Sequence, residues 1–161
     1  MKLLKLIAVL LDYPAEELWA HGDELRAAID DPALSAERLA ALRGFVDELL
    51  ATEPMQAQER WLELFDRGRA MSLRLFEHIH GESRDRGQAM IDLLDEYRRH
   101  GMEPGDSELP DFVPLFLEFL GELPANEAKQ MLGEAIHVLA AIGQRLRRNE
   151  SPYAGIFSVL E

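Results

Sequence analysis

No cysteine occurs in the 161 residues. That excludes disulfides, thiolate zinc sites and iron–sulfur ligation by the chain itself, and it suits a reducing compartment. Alternating runs of Val, Ile, Thr and Tyr are also missing, so nothing argues for a sheet. No apolar run approaches the roughly 20 residues needed to cross a bilayer as a helix. The opening MKLLKLIAVLLDYP has a thin basic flank, a short run from Leu6 to Leu11 and no small-residue cleavage site, so it reads as a core helix rather than a secretion signal. GxGxxG and Walker loops are absent, as are HExxH and the nucleophile elbow. Cations are in deficit: 17 Lys and Arg stand against 30 Asp and Glu, a net charge of −13. Such a balance opposes nucleic-acid backbones and favours a basic partner drawn in by electrostatic steering.

What is present is helix-forming. Ala, Leu, Glu and Arg dominate, and 47% of residues are apolar, enough for a core. The spacing predicts an all-α, single-domain helical bundle over residues 1–161. Helices are expected at Lys2–Leu11, Ala15–Ile29, Ser35–Ala51, Pro54–Phe65, Ala70–His80, Ser83–His100, Asp111–Gly121, Ala125–Asn149 and Pro152–Leu160. Turn chemistry separates them at Asp30-Asp31-Pro32, Thr52-Glu53-Pro54, Gly81 and Gly101 through Asp106. In the sixth of these helices Ser83 suits the cap, Gly101 the left-handed end, and Gly87, Met90, Ile91, Leu94 and Tyr97 form one stripe. The long helix from Ala125 carries Gly133 and Gly143 in its interior, each costing about 1 kcal/mol relative to Ala, which close approach of a neighbouring helix would explain. His137 falls off its apolar stripe, near Glu134, and is expected to be exposed.

Two regions carry candidate function. Phe112 to Leu120 is apolar on almost every side, with Glu118 its one charge, and Pro114 fits if it lies in the first turn. Phe112, Phe116 and Phe119 can line one side and Val113, Leu117 and Leu120 another, giving either plain core or the floor of a groove. Around it, Gly101 to Ala128 holds Glu103, Asp106, Glu108, Asp111, Glu118, Glu122 and Glu127 without a single Lys or Arg. An acidic rim beside aromatics suits a basic amphipathic helix. The second region is Leu64 to Met90, dense in both charges. Glu77, His78, His80 and Glu82 resemble metal ligands in type, but histidines two apart do not share a helix face. A metal-dependent hydrolase is therefore a weaker reading than a corner locked by ion pairs among Asp66, Arg67, Arg69, Glu77, Glu82, Arg84, Asp85 and Arg86, or a face presented to a basic tail.

The run Glu63-Leu64-Phe65-Asp66-Arg67-Gly68-Arg69-Ala70, followed by Ser72-Leu73, Leu75-Phe76-Glu77-His78 and His80-Gly81-Glu82-Ser83-Arg84-Asp85-Arg86-Gly87-Gln88-Ala89-Met90, resembles the signature of the NarJ family, the delta subunits of respiratory nitrate reductase. Leu10-Leu11-Asp12-Tyr13-Pro14, Glu108-Leu109-Pro110-Asp111, and Glu150-Ser151 with Tyr153-Ala154 and Phe157 resemble further motifs of that family, so the likeness spans the chain. The resemblance implies a TorD/NarJ-like redox-enzyme maturation chaperone. Such proteins are cytoplasmic helical bundles without catalytic residues, resident metal or cofactor. They bind the N-terminal segment of the nitrate reductase catalytic (alpha) subunit and assist insertion of molybdenum cofactor and iron–sulfur cluster before membrane docking. A chaperone for another molybdoenzyme is the nearest alternative. Carried onto this chain, the peptide-binding residues are expected to be Phe65, Asp66, Leu73, Phe76, Glu77, Glu82, Asp85, Glu108, Asp111, Phe116, Glu118 and Phe119. The family's ELPDH histidine is Phe112 here, so no imidazole acts at that position. Family members continue with a charged tail where this chain stops at Glu161, which reads as a short or trimmed member. Oligomeric state is left open by the sequence.

Overall fold

The most apolar stretch of the chain becomes the helix around which the others gather. In a computed structural model describing residues 2–30, 32–105 and 108–160, the elements are α1 (Lys2–Leu11), α2 (Glu17–Ala20), α3 (Gly22–Ala28), α4 (Ala36–Ala51) and α5 (Pro54–Trp61). A π-helical turn (Leu62–Asp66) continues α5, and then come α6 (Leu75–Ile79), α7 (Asp85–Arg99), α8 (Val113–Glu122), α9 (Ala125–Arg148) and α10 (Ala154–Leu160). Among the described residues there is no β-strand, and the fold is all-α. Asp31, Asp106 and Glu161, expected in a turn, in the acidic stretch and at the chain's end, lie outside the described residues.

Along α8, Val113, Pro114, Phe116, Leu117, Phe119 and Leu120 are buried. Pro114 sits in the first turn, where its missing N–H leaves no hydrogen bond unmade. α1 and α9 each pack against α8, while α10 packs against α9 and α4. The buried side chains form one cluster, crossed by a run of rings: Tyr13 meets Trp61 edge-on at 5.6 Å, Trp61 meets Phe65, Phe65 meets Tyr153 at 5.0 Å, and Tyr153 meets Phe45. Burial pushes the Tyr153 phenol up to about 12.

Local chemistry ends the helices where expected. Ser35 accepts from the Arg38 N–H to cap α4, and the Ser83 hydroxyl accepts from the Asp85 N–H at the start of α7. Gly101, at φ +80°, closes α7 with the Met102 N–H on the Tyr97 carbonyl and the Gly101 N–H on that of Arg98. His137 is exposed.

Four expectations change. The helix predicted over Ala15–Ile29 breaks at His21 into α2 and α3. The one predicted to run to Phe65 widens into the π turn, with the Arg67 N–H reaching the Leu62 carbonyl. Ala70–His80 is helical only from Leu75. Its first half instead pairs with the segment before α8 through an isolated antiparallel bridge, Arg74 to Phe112. There the Val113 N–H donates to Leu73 O (2.7 Å) and the Leu75 N–H to Asp111 O (3.1 Å), so this backbone finds partners across the molecule rather than along a helix. Lastly, Gly133 is not crowded: a Cβ built there meets nothing within 4 Å. Gly143 is buried.

Candidate functional site

A trough runs beside α1, and its shape starts with how α1 ends. After Leu11 the chain turns through Asp12-Tyr13-Pro14. Asp12 Oδ1 accepts from the Tyr13 N–H (2.8 Å), Trp61 Nε1 donates to Leu11 O (2.9 Å) and Gln58 Nε2 donates to Pro14 O (2.9 Å). Three anchors on α5 and the turn itself thus hold this loop at one wall of the depression. The opposite wall is the segment from Glu108 into α8, fixed by the bridge to residue 74.

Between these walls lie two adjoining cavities of about 430 and 240 Å³, sharing Asp12, Glu108 and Phe112. Ala8, Phe112, Pro114 and Leu115 give the larger one an apolar floor, and Val9, 44% exposed, forms its lip. Acids edge it: Asp12, Glu108, Glu118 and Glu122. In the smaller cavity Tyr13, Trp61, Phe65 and Leu73 supply the apolar surface and Asp66 a further acid. Two cations line the trough, and both are engaged. Lys5 Nζ lies 2.7 Å from Glu122, holding that carboxyl below its usual range, and Arg74 lies 3.4 Å from Glu108 with its guanidinium 5.8 Å from the Phe112 ring centre. Partial desolvation raises the Asp12 carboxyl, with the Tyr13 N–H opposing the shift. The resulting surface is apolar below, negative above and open, the form that takes an amphipathic cation-bearing segment.

Five of the expected peptide-binding residues line this trough: Phe65, Asp66, Leu73, Glu108 and Glu118. Phe116 and Phe119 do not. Neither borders either cavity, and Phe119 packs against the Tyr97 and His100 rings; Phe112 and Leu115 border the larger cavity instead. Phe76, Glu77, Glu82 and Asp85 stand apart, at the α6–α7 corner. Glu77 faces Arg86 (3.7 Å), Glu82 faces Arg69 (3.2 Å), the Phe76 ring meets His80, and Asp85 occupies the first turn of α7. His78 Nε2 lies 2.8 Å from Ser72 O. Glu77, His78 and Glu82 are thus committed to three different partners rather than to a common centre.

Asp111 is wholly buried. Its Oδ2 accepts from the Phe76 N–H (2.9 Å) and so ties the start of α6 to the segment before α8; its Oδ1 has no hydrogen-bond partner among the described residues. Desolvation raises this carboxyl, while the Phe76 N–H and the charges of Arg86 and Arg74 oppose the shift. Asp111 therefore braces the trough from behind and offers nothing to a ligand in it.

The α1 wall was missed by sequence reasoning. Lys5, Ala8, Val9 and Asp12 follow the i, i+3, i+4, i+7 spacing of one helix face, so a signal existed, but α1 read as core throughout. Tyr13, Trp61, Arg74 and Leu115 were missed with it, while Glu122 was named only as part of the acidic stretch.

The chain has well-matched relatives. It is 48% identical over 158 residues to the nitrate reductase molybdenum cofactor assembly chaperone NarJ of Escherichia coli K12, covering 98% of this chain and 67% of that protein. It is 44% identical over 162 residues to the probable assembly chaperone NarW of the same strain, covering 99% and 67%. The probable NarJ of Bacillus subtilis is 29% identical over 154 residues, 96% of this chain and 83% of that protein. The family described as nitrate reductase delta subunit matches residues 30–158. With a match over most of its length and relatives this similar, the chain belongs to the nitrate reductase delta subunit family.

Proposed function

We propose that this protein is an assembly chaperone for a respiratory nitrate reductase, and that the trough beside α1 holds a basic, amphipathic N-terminal segment of the enzyme's catalytic subunit. Held there, the apoenzyme stays open to insertion of molybdenum cofactor and iron–sulfur cluster and does not dock prematurely on the membrane. The work is done in the cytoplasm and is binding, not catalysis. The observation that carries this reading is the apolar floor of Phe112, Pro114 and Leu115 edged by Asp12, Glu108, Glu118 and Asp66, in a chain whose relatives are named as such chaperones.

The division of labour follows from the chemistry. Apolar side chains of the segment would bury against the floor and supply affinity, at roughly 25 cal/mol per Å² before ordering costs. The acids would set approach rate and orientation. Lys5, already paired with Glu122, would close one end to a further cation. Among the described residues no helix is long and apolar enough to cross a membrane.

Calorimetric titration with a synthetic peptide of the catalytic subunit's first residues tests this. Asp66→Lys/Glu118→Lys should weaken binding at least tenfold at low salt and flatten its salt dependence. Glu77→Gln/Asp85→Asn, at the distant corner, should leave affinity unchanged. Equal affinity across all variants would refute the trough as the binding site.

A further inference from the structure

α1 has a second concave side. Away from the trough, α1, the 32–34 loop, the start of α4, α9 and the end of α10 leave a trench of two adjoining cavities, about 450 and 230 Å³, sharing Leu3 and Leu34. Leu3, Leu34, Leu39, Leu132 and Ile136 line it and are all only half-buried. Its rim bears Lys2, Arg38 and Lys129, with Asp30 the acid among the described residues of the lining.

Two observations separate this trench from an ordinary surface hollow. The first is electrostatic. Arginines elsewhere on this strongly acidic protein are mostly spoken for: Arg26, Arg60, Arg67, Arg74, Arg86 and Arg98 each face a carboxylate. Among the described residues, the side chains of Lys2, Arg38 and Lys129 have no ion-pair or hydrogen-bond partner, and all three are exposed. Three uncommitted cations therefore ring one apolar trench on a molecule of net charge −13. The second is Gly133, which lines the trench in the middle of α9. A glycine inside a helix costs stability relative to alanine, and nothing in the molecule crowds it: a Cβ there would meet no atom within 4 Å. Gly44 in α4 and Gly87 in α7 are equally uncrowded, so what sets Gly133 apart is its place in the trench wall, where it leaves room for a close approach.

We infer that the trench is a docking site for an acidic amphipathic helix of a partner protein, its apolar side seated between Leu34, Leu132 and Ile136 and its carboxylates on Lys2, Arg38 and Lys129. Gly133 lets the partner's backbone approach α9. The charge complement is opposite to that of the trough, so the two sides of α1 sort their ligands by sign through short-range contacts at each rim.

The full chain with methyl-labelled side chains provides the test. Two four-turn peptides are used, each with leucines at i, i+3, i+4 and i+7. One carries glutamates at its other positions and the second carries lysines. The glutamate peptide should shift the Leu34, Leu132 and Ile136 methyl resonances. Its affinity should fall at least tenfold in Arg38→Glu/Lys129→Glu and severalfold in Gly133→Ala, even as Gly133→Ala raises the melting temperature of the free protein. The lysine peptide should shift Val9 and Leu115 instead, a separate readout that keeps the trough and the trench distinguishable. Several results would overturn the inference: no shift in the trench, glutamate-peptide affinity unchanged by the double charge reversal, phosphatidylglycerol vesicles captured in place of the peptide through the same cations, or self-association abolished by the same reversal, which would give the trench to a second copy.

Discussion

α7 and α8 both place apolar residues at helical spacing, one among many charges and the other almost without them, and they differ in how deep those residues lie. Each carries a long apolar stripe. In α8 that stripe is sealed, with Val113, Leu117, Phe119 and Leu120 at 0% exposure. In α7 only Tyr97 is buried; Met90 and Leu94 are half-buried, Gly87 is exposed and Ile91 is 55% exposed. The stripe expected over Gly87, Met90, Ile91, Leu94 and Tyr97 is therefore not a core face. α8 has α1 on one side and α9 on another, whereas α7 leans on α6 and on the Tyr97–Phe119 contact. Periodicity says which way a helix turns its apolar side; how deep that side lies depends on how many neighbours converge on it.

The largest expected effect sharpens this contrast. Phe119→Ala should destabilise the protein by about 3–5 kcal/mol in equilibrium urea unfolding, the cost of emptying a fully enclosed ring site. A loss below about 1 kcal/mol would remove α8 from the centre of the fold. Next comes Tyr97→Phe. It deletes the O–H that donates to Pro110 O at 2.5 Å and leaves that carbonyl without its partner, at a cost of about 1–2 kcal/mol. Amide exchange should then quicken along α7 more than along α8.

A smaller effect depends on pH. The Asp111 carboxyl is raised from its ordinary 3.8 by burial, so its protonated form is the one folding favours. Its contribution to stability is fully present below 3.8 and is lost as pH rises through the folded-state pKa. Asparagine does not titrate, so the stability of Asp111→Asn relative to the natural protein should improve as pH rises from about 3 to 7. A difference that is flat across urea titrations in this range would contradict the burial argument. The smallest effect belongs to α7: Ile91→Ser should change stability by less than about 0.5 kcal/mol, and a larger loss would mean the outer face of α7 is covered after all.

Much of the helical layout was legible because spacing and caps carry it. α1, α4 and α9 fall within a residue of their expected ends. The π turn and the bridge at Arg74 were not legible. One is a single widened turn and the other a single pairing, and neither leaves a period to read. Ala70, Met71 and Leu73 are good helix formers whose backbone was claimed by a distant segment, an outcome local propensity does not encode. The trough was half legible. Acids around an apolar helix suited either plain core or the floor of a groove, and a helix apolar on all sides does not reveal which aromatics face in. Phe112, Phe116 and Phe119 were grouped on one side, and of the three only Phe112 borders a cavity. The α1 wall escaped notice because one helix serves core and groove at once.

The bridge between Arg74 and Phe112 works like the clasp on a belt. One strap carries the floor of the trough and the other leads directly into the charged corner at α6 and α7, and a pair of backbone hydrogen bonds with the Asp111 carboxylate fastens them together. Asp111 and Phe76, which border neither cavity, thereby help hold together two segments whose Leu73, Arg74 and Phe112 do. Undoing that fastening would free the two straps to part, and Leu73, Arg74 and Phe112 would move with them.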